Sequence, residues 1–123
     1  MTLTALAEMV RAAWQALHSG GPVGAATPLL GADRFAVQIE AALHRPQLVL
    51  ARQPDFRGTV EGYIEQLLSQ LGADTRLAVE AGLRRRVVTA DACINFDSGW
   101  ILILYRLGEP LPRAGSSSLE GVS

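Results

Sequence analysis

Arg34-Phe-Ala-Val-Gln-Ile-Glu-Ala-Ala-Leu43 is the stretch of sequence that decides the fold. Its odd positions, from Phe35 to Leu43, are apolar and alternate with residues that are smaller or polar. Successive side chains of a β-strand point to opposite faces, so this period of two predicts a strand with one buried face. The alanines and the four-residue spacing of Phe35, Ile39 and Leu43 would also suit a helix, and we favour the strand.

Two further strands are predicted near the C-terminal end, over residues 85–95 and 100–107. Asp97-Ser98-Gly99 separates them and is typical of a hairpin loop. Residues 100–105, Trp-Ile-Leu-Ile-Leu-Tyr, are apolar on both faces of the second strand. A strand of that kind is expected in the centre of a sheet or covered on both sides.

Helical spacing of apolar residues predicts helices over residues 4–19, 55–71 and 75–81. Gly72 and Gly82 are expected to end the last two helices, and Asp74 to cap the start of the third. Residues 20–32 are rich in glycine and proline and are predicted to be a loop. The result is an α+β domain over residues 1–108, with a three-stranded, at least partly antiparallel sheet in the order α-β-α-α-β-β. Residues 109–123 lack periodicity and are predicted to be a flexible tail.

The composition excludes several classes of protein. The 123 residues are 49% hydrophobic, which argues against intrinsic disorder. Eleven basic residues against twelve acidic ones give no basic excess for binding nucleic acid. The apolar run at residues 100–105 is far shorter than the roughly 20 residues of a transmembrane helix. We therefore expect a cytoplasmic protein without a transmembrane segment.

The chemistry of the side chains gives weak signals for a site. Arg84, Arg85 and Arg86 are a candidate anion-binding cluster, although such a run is more often a solvated start of a strand. Asp91, Cys93, Asn95 and Asp97 alternate along one strand face, and such a row would line a pocket or bind a cation or, more often, face solvent. His18 and His44 are far apart without metal-ligand spacing, and Cys93 is expected to be a buried, inert thiol. We predict no catalytic residues, no metal and no cofactor.

The closing strand also predicts an interface. A sheet of few strands with a two-sided apolar strand leaves surface that one chain does not cover. We therefore expect a homodimer, and Trp100, Ile101, Ile103 and Tyr105 are the predicted interface residues.

The order of these segments resembles the MpsC-like domains, a family named for a sodium-translocating, membrane-potential-generating system. The similarity runs from Leu6 to Leu107 and includes the helix ending near Gly21-Pro22, the strand over residues 33–43 and the hairpin turn at residues 97–99. The family usually carries a His and an Asp shortly before this turn, where the present chain has Asp91 and Cys93. The resemblance implies a small cytosolic domain without known catalytic activity, linked in some members to membrane uptake of sodium or inorganic carbon.

These observations predict a non-enzymatic accessory domain that acts by protein contact, and the resemblance implies a membrane-transport protein as its partner. One alternative is a module that binds a small ligand or anion in a pocket between the helices and the polar strand face. Another is a secretion-type chaperone, although such proteins are usually more acidic than a net charge of −1.

Overall fold

The computed structural model describes residues 2–18 and 22–108, which form three helices and four strands. The helices are α1 (Leu3–Leu17), α2 (Arg45–Ala51) and α3 (Pro54–Leu83). The strands are β1 (Ala26–Leu30), β2 (Arg34–Ile39), β3 (Val87–Asn95) and β4 (Trp100–Leu107). The predicted α+β class is confirmed, and the tail predicted over residues 109–123 lies outside the described residues.

The strands form one antiparallel sheet in the spatial order β1-β2-β4-β3. The prediction of three strands in the order α-β-α-α-β-β is wrong, because β1 lies in the segment that glycine and proline mark as a loop. Pro28 is tolerated there because β1 is an edge strand, where a missing N–H need not break a ladder. The two-sided apolar strand, β4, is central as expected.

The hydrophobic core lies between the sheet and the helices. Phe35, Val37 and Ile39 are fully buried, as their alternation predicts. The strand is shorter than expected, because Ala41 adopts a left-handed backbone conformation with φ 48°. The backbone N–H groups of Ala42 and Leu43 then donate to the Gly99 carbonyl, which ties this turn to the β3–β4 hairpin.

Helix α3 is one continuous helix of 30 residues. The predicted break at Gly72 and cap at Asp74 are wrong, because Gly72 is buried where the helix crosses β3. A Cβ atom on Gly72 would lie 3.1 Å from the Cβ of Ala90, so the glycine permits a close approach of helix and strand. Helix α3 ends at Leu83, and Arg84 follows in the left-handed conformation.

The predicted hairpin between β3 and β4 is confirmed. The Asn95 side-chain oxygen accepts hydrogen bonds from the backbone N–H groups of Asp97 and Ser98. Gly99 has a positive φ of 80°, which glycine adopts without strain. This turn fixes which side chains of β4 face the helices and which face away.

Candidate functional site

The sheet face that points away from the helices, called the outer face below, has an apolar centre. Strand pairing sets Leu29, Ala36 and Leu104 in one row, and Gln38 and Leu102 in the next. Their neighbours Phe35, Val37, Ile101 and Ile103 point the other way, into the core. Leu102 and Leu104 are half-buried and Leu29 is 46% exposed. No described helix covers this apolar surface.

The two ends of the outer face carry opposite charges. At one end Arg34 lies directly across from Arg106 on the paired strand, and both side chains are exposed. At the other end Glu40 follows β2 and is exposed, near Trp100. Gln38, Glu40 and Trp100 line an open depression of about 520 Å³ at this acidic end.

Three of the four predicted interface residues are in the wrong place for an interface. Ile101, Ile103 and Tyr105 are at most 1% exposed because they face the helices. Tyr105 stacks on Phe35 and shares a hydrogen bond with the buried Thr75 of α3. Burial raises the pKa of Tyr105 to about 12. Trp100 alone of the four points to the outer face, where it is half-buried.

The arginine cluster lies where α3 turns into β3. Arg84 occupies the helix C-cap, where a cation complements the helix dipole, and the Arg85 guanidinium donates to the Arg84 carbonyl. Arg86 lines a separate open depression together with Arg76. The three side chains do not share one described depression, and the acidic side chain of Glu80 lies beside them, bonded to the Val87 N–H.

The polar row of β3 is divided between two roles. Asn95 builds the hairpin turn described above, and Asp97 belongs to that turn. Asp91 and Cys93 are exposed, across from Leu104 and Leu102 respectively. The expectation of a buried Cys93 is therefore wrong, because the outer face at this edge strand has no covering element among the described residues.

A groove runs between the first half of α3 and strand β3. Its volume is about 460 Å³, and its floor includes Ala90 and Ala92. Glu61 and Glu65 of α3 contribute acidic groups to its lining, whereas the side chain of Asp91, which pairs with the outward-facing Leu104, belongs to the outer face. A pocket between helix and strand was among the sequence expectations, but Arg84–Arg86 do not line it. Its acidic lining does not favour an anion.

A histidine pair joins the end of α1 to the start of α2. The rings of His18 and His44 lie 4.2 Å apart between centroids, and Trp14 stacks on His18 at 4.8 Å. His18 is fully buried, and its Nε2 lies 2.7 Å from Gln47 Oε1. The same oxygen accepts the backbone N–H of His44, so Nε2 of His18 is the protonated ring nitrogen.

Each histidine keeps one buried ring nitrogen, His18 Nδ1 and His44 Nε2, without a hydrogen-bond partner among the described residues. Burial lowers the pKa of His18, the Gln47 hydrogen bond opposes this, and the charge of His44 lowers it further. Sequence reasoning missed the pair, because the two residues are 26 positions apart and meet only through the helix packing. Within residues 2–18 and 22–108 no cluster of three or more His, Cys, Asp or Glu side chains could hold a metal ion.

Comparison with known proteins adds no relative. No family model, no curated protein and no solved structure matches the chain. The resemblance to MpsC-like domains therefore stays a prediction. In the part of the chain that the structure describes, no helix has the length and apolar character needed to cross a membrane.

Proposed function

We propose that this chain is a protein-contact domain that works as a homodimer joined through the outer face of its sheet. The observation that carries the proposal is the apolar centre of that face, formed by Leu102 and Leu104 with Leu29 beside them and left without a covering helix. Two sheets that pack face to face bury such residues between them, at a separation of about 10 Å.

The outer face is complementary to itself under a two-fold rotation. The axis would lie in the plane of the interface, perpendicular to the strands, midway between the Leu102 and Leu104 rows. The rotation reverses the strand direction, so Leu104 of one copy packs on Leu102 of the other. Arg34 then lies over Glu40 of the second copy, and Arg106 lies over the ring of Trp100.

Charge favours this arrangement over the one that keeps the strand directions aligned. Arg34 and Arg106 are directly opposite each other on paired strands and form a basic row. The aligned arrangement would set this row against the same row of the second copy, where like charges repel. Arg34 also contacts its neighbour Asp33 at 3.2 Å, but both side chains are about half exposed and such a pair contributes little. The depression beside Glu40 and Trp100 offers the two guanidinium groups a carboxylate and an aromatic face.

A charge-swap experiment tests the homodimer. We expect the native chain to be dimeric by sedimentation equilibrium at micromolar concentration. Arg34→Glu and Glu40→Arg should each weaken the dimer about tenfold or more, because each sets like charges against each other across the axis. The double variant R34E/E40R should regain most of the affinity, since it restores opposite charges.

Arg52→Glu is the matched control, because Arg52 is an exposed arginine at the C-cap of α2 and not on a strand of the sheet. It should leave the dimer unchanged. A native chain that is monomeric at 100 µM would overturn the proposal, and so would a double variant that is no better than the two single ones.

The resemblance to MpsC-like domains supplies the class of the partner in this proposal. It places the dimer as an accessory to a membrane system for ion or inorganic-carbon uptake, with no catalytic step of its own. Co-purification of the full chain from its source cell, with R34E and R52E compared as baits, tests this role. Recovery of a membrane transport protein by native and R52E baits supports it, and its absence from all three contradicts it.

A further inference from the structure

Strand β3 is an edge strand with little protection against pairing, because its bulge lies at its start, between Val87 and Thr89. The other edge, β1, has five residues and contains Pro28, which cannot donate to an added strand. β3 has nine residues with no proline and a single charged side chain, Asp91. Residues 88–93 are all exposed. Within the part of the chain that the structure describes, the outer edge of β3 is therefore open, and an extended segment has access to it.

Space for the side chains of an added strand exists on the helix side of this edge. Ala90 and Ala92 pair with the buried residues Tyr105 and Ile103, so they point toward the helices, yet both are exposed. Helix α3 touches the strand closely at Gly72 and leaves the groove of about 460 Å³ along its first half. An extended segment beside β3 would place every second side chain in this groove.

The charges that line the groove indicate which kind of extended segment is complementary to it. The acidic side chains of the groove are Glu61 and Glu65, both from α3. Arg57 is the cation of the lining, and it is already held 3.6 Å from Glu61 and over the ring of Phe96. The carboxylates therefore outnumber the cations, and a strand carrying Arg or Lys at alternate positions is complementary to them.

A second copy of the chain fits this edge poorly. Antiparallel pairing of two β3 strands would bring two acidic grooves together, with Glu61 and Glu65 of each copy on the same side of the joined sheet. The outer face offers the second copy opposite charges instead. The β3 edge is thus left for a different occupant.

We propose that the β3 edge and the α3–β3 groove bind an extended basic segment of a partner protein, which adds a fifth strand to the sheet. Backbone hydrogen bonds to β3 supply affinity, and Arg or Lys side chains that reach Glu61 and Glu65 supply selectivity. This site is separate from the homodimer face and does not depend on it.

The test uses a fluorescein-labelled nine-residue peptide of alternating Arg and Val, titrated with the full chain and followed by fluorescence anisotropy. We expect saturable binding in the micromolar range. The double variant E61Q/E65Q should weaken it about tenfold, whereas Glu8→Gln, an exposed glutamate on α1, should not change it. A Glu–Val peptide of the same length should not bind.

A third peptide separates strand pairing from simple charge attraction. The Arg–Val peptide with all of its backbone nitrogens methylated keeps the charges but cannot donate to β3, so it should bind at least tenfold more weakly. Equal binding of the methylated peptide overturns the proposal, as does the absence of any effect of E61Q/E65Q. Dissociation of the native homodimer by the peptide would show that a second copy occupies this edge, and would also overturn it.

Discussion

At the scale of single residues, His18 makes the stability of the fold depend on pH. Its folded-state pKa is lowered from the ordinary value of 6.5, chiefly by burial. Just below pH 6.5 the unfolded chain therefore binds a proton that the folded chain does not. We expect the free energy of unfolding to hold above this pH and to fall as the pH drops below it, by at most about 1.4 kcal/mol per unit for one proton.

Urea unfolding of native chain and His18→Gln at pH 7.5, 6.5 and 5.5 measures this effect. H18Q is expected to be less stable at pH 7.5, because it loses the stacking on Trp14. Its further loss between pH 7.5 and 5.5 should be smaller than that of the native chain. Equal losses for the two proteins would assign the pH dependence to other groups.

Thr75 and Tyr105 form the buried polar contact between α3 and β4. The Thr75 hydroxyl is bonded to the Leu71 carbonyl and to the Tyr105 hydroxyl. Thr75→Val leaves the Tyr105 hydroxyl without this partner, so we expect a loss of about 1–3 kcal/mol in the free energy of unfolding. In a Tyr105→Phe background the same change should cost clearly less, which a double-mutant cycle by urea unfolding would show. Additive losses would mean that the contact contributes nothing.

At the scale of elements, the glycines of α3 are not equivalent. A Cβ atom on Gly62 meets nothing within 4 Å, whereas one on Gly72 meets the Cβ of Ala90 at 3.1 Å. Gly62→Ala should therefore stabilise the fold by about 0.5–1 kcal/mol through helix propensity. Gly72→Val should destabilise it by about 1–3 kcal/mol through overpacking against β3. Thermal unfolding of both variants checks the order, and a G72V variant as stable as G62A would contradict the close packing.

The sequence predicts those elements that depend on local signals. Alternation over Phe35–Ile39 and the turn at Gly99 are local signals, and both give the correct strands. Gly72 is predicted to end a helix, because the sequence does not reveal that β3 packs against it. Pro28 is predicted to lie in a loop for a similar reason. Its place in β1 depends on that strand lying at an edge of the sheet, which the local sequence does not show.

The candidate surfaces are likewise only partly predictable from the sequence. Alternation along β4 implies two apolar faces, but the sequence does not state which face the helices cover. The prediction therefore mixes buried Ile101 and Ile103 with the outward-facing Trp100. The histidine pair and the acidic groove each join segments distant in sequence, α1 with α2 and α3 with β3, so no local pattern indicates them.

At the scale of the whole molecule, a sheet covered by helices on one face predicts that folding and dimerisation are coupled. If the outer faces join two copies, mass action raises the free energy of unfolding of the dimer by about 1.4 kcal/mol for each tenfold rise in protein concentration. The urea midpoint of the native chain should accordingly increase between 1 and 100 µM.

Leu104→Glu sets a carboxylate in the centre of the outer face, so it should remove this concentration dependence and leave a folded monomer. Leu77→Glu is the matched control, because Leu77 is 76% exposed on α3, on the other side of the sheet. It should keep the native concentration dependence. The two variants add the same charge to the chain, so a difference between them must come from where the leucine lies. If L104E kept the native concentration dependence while L77E lost it, the homodimer would have to be assigned to the helices, and the outer face would be left unpaired.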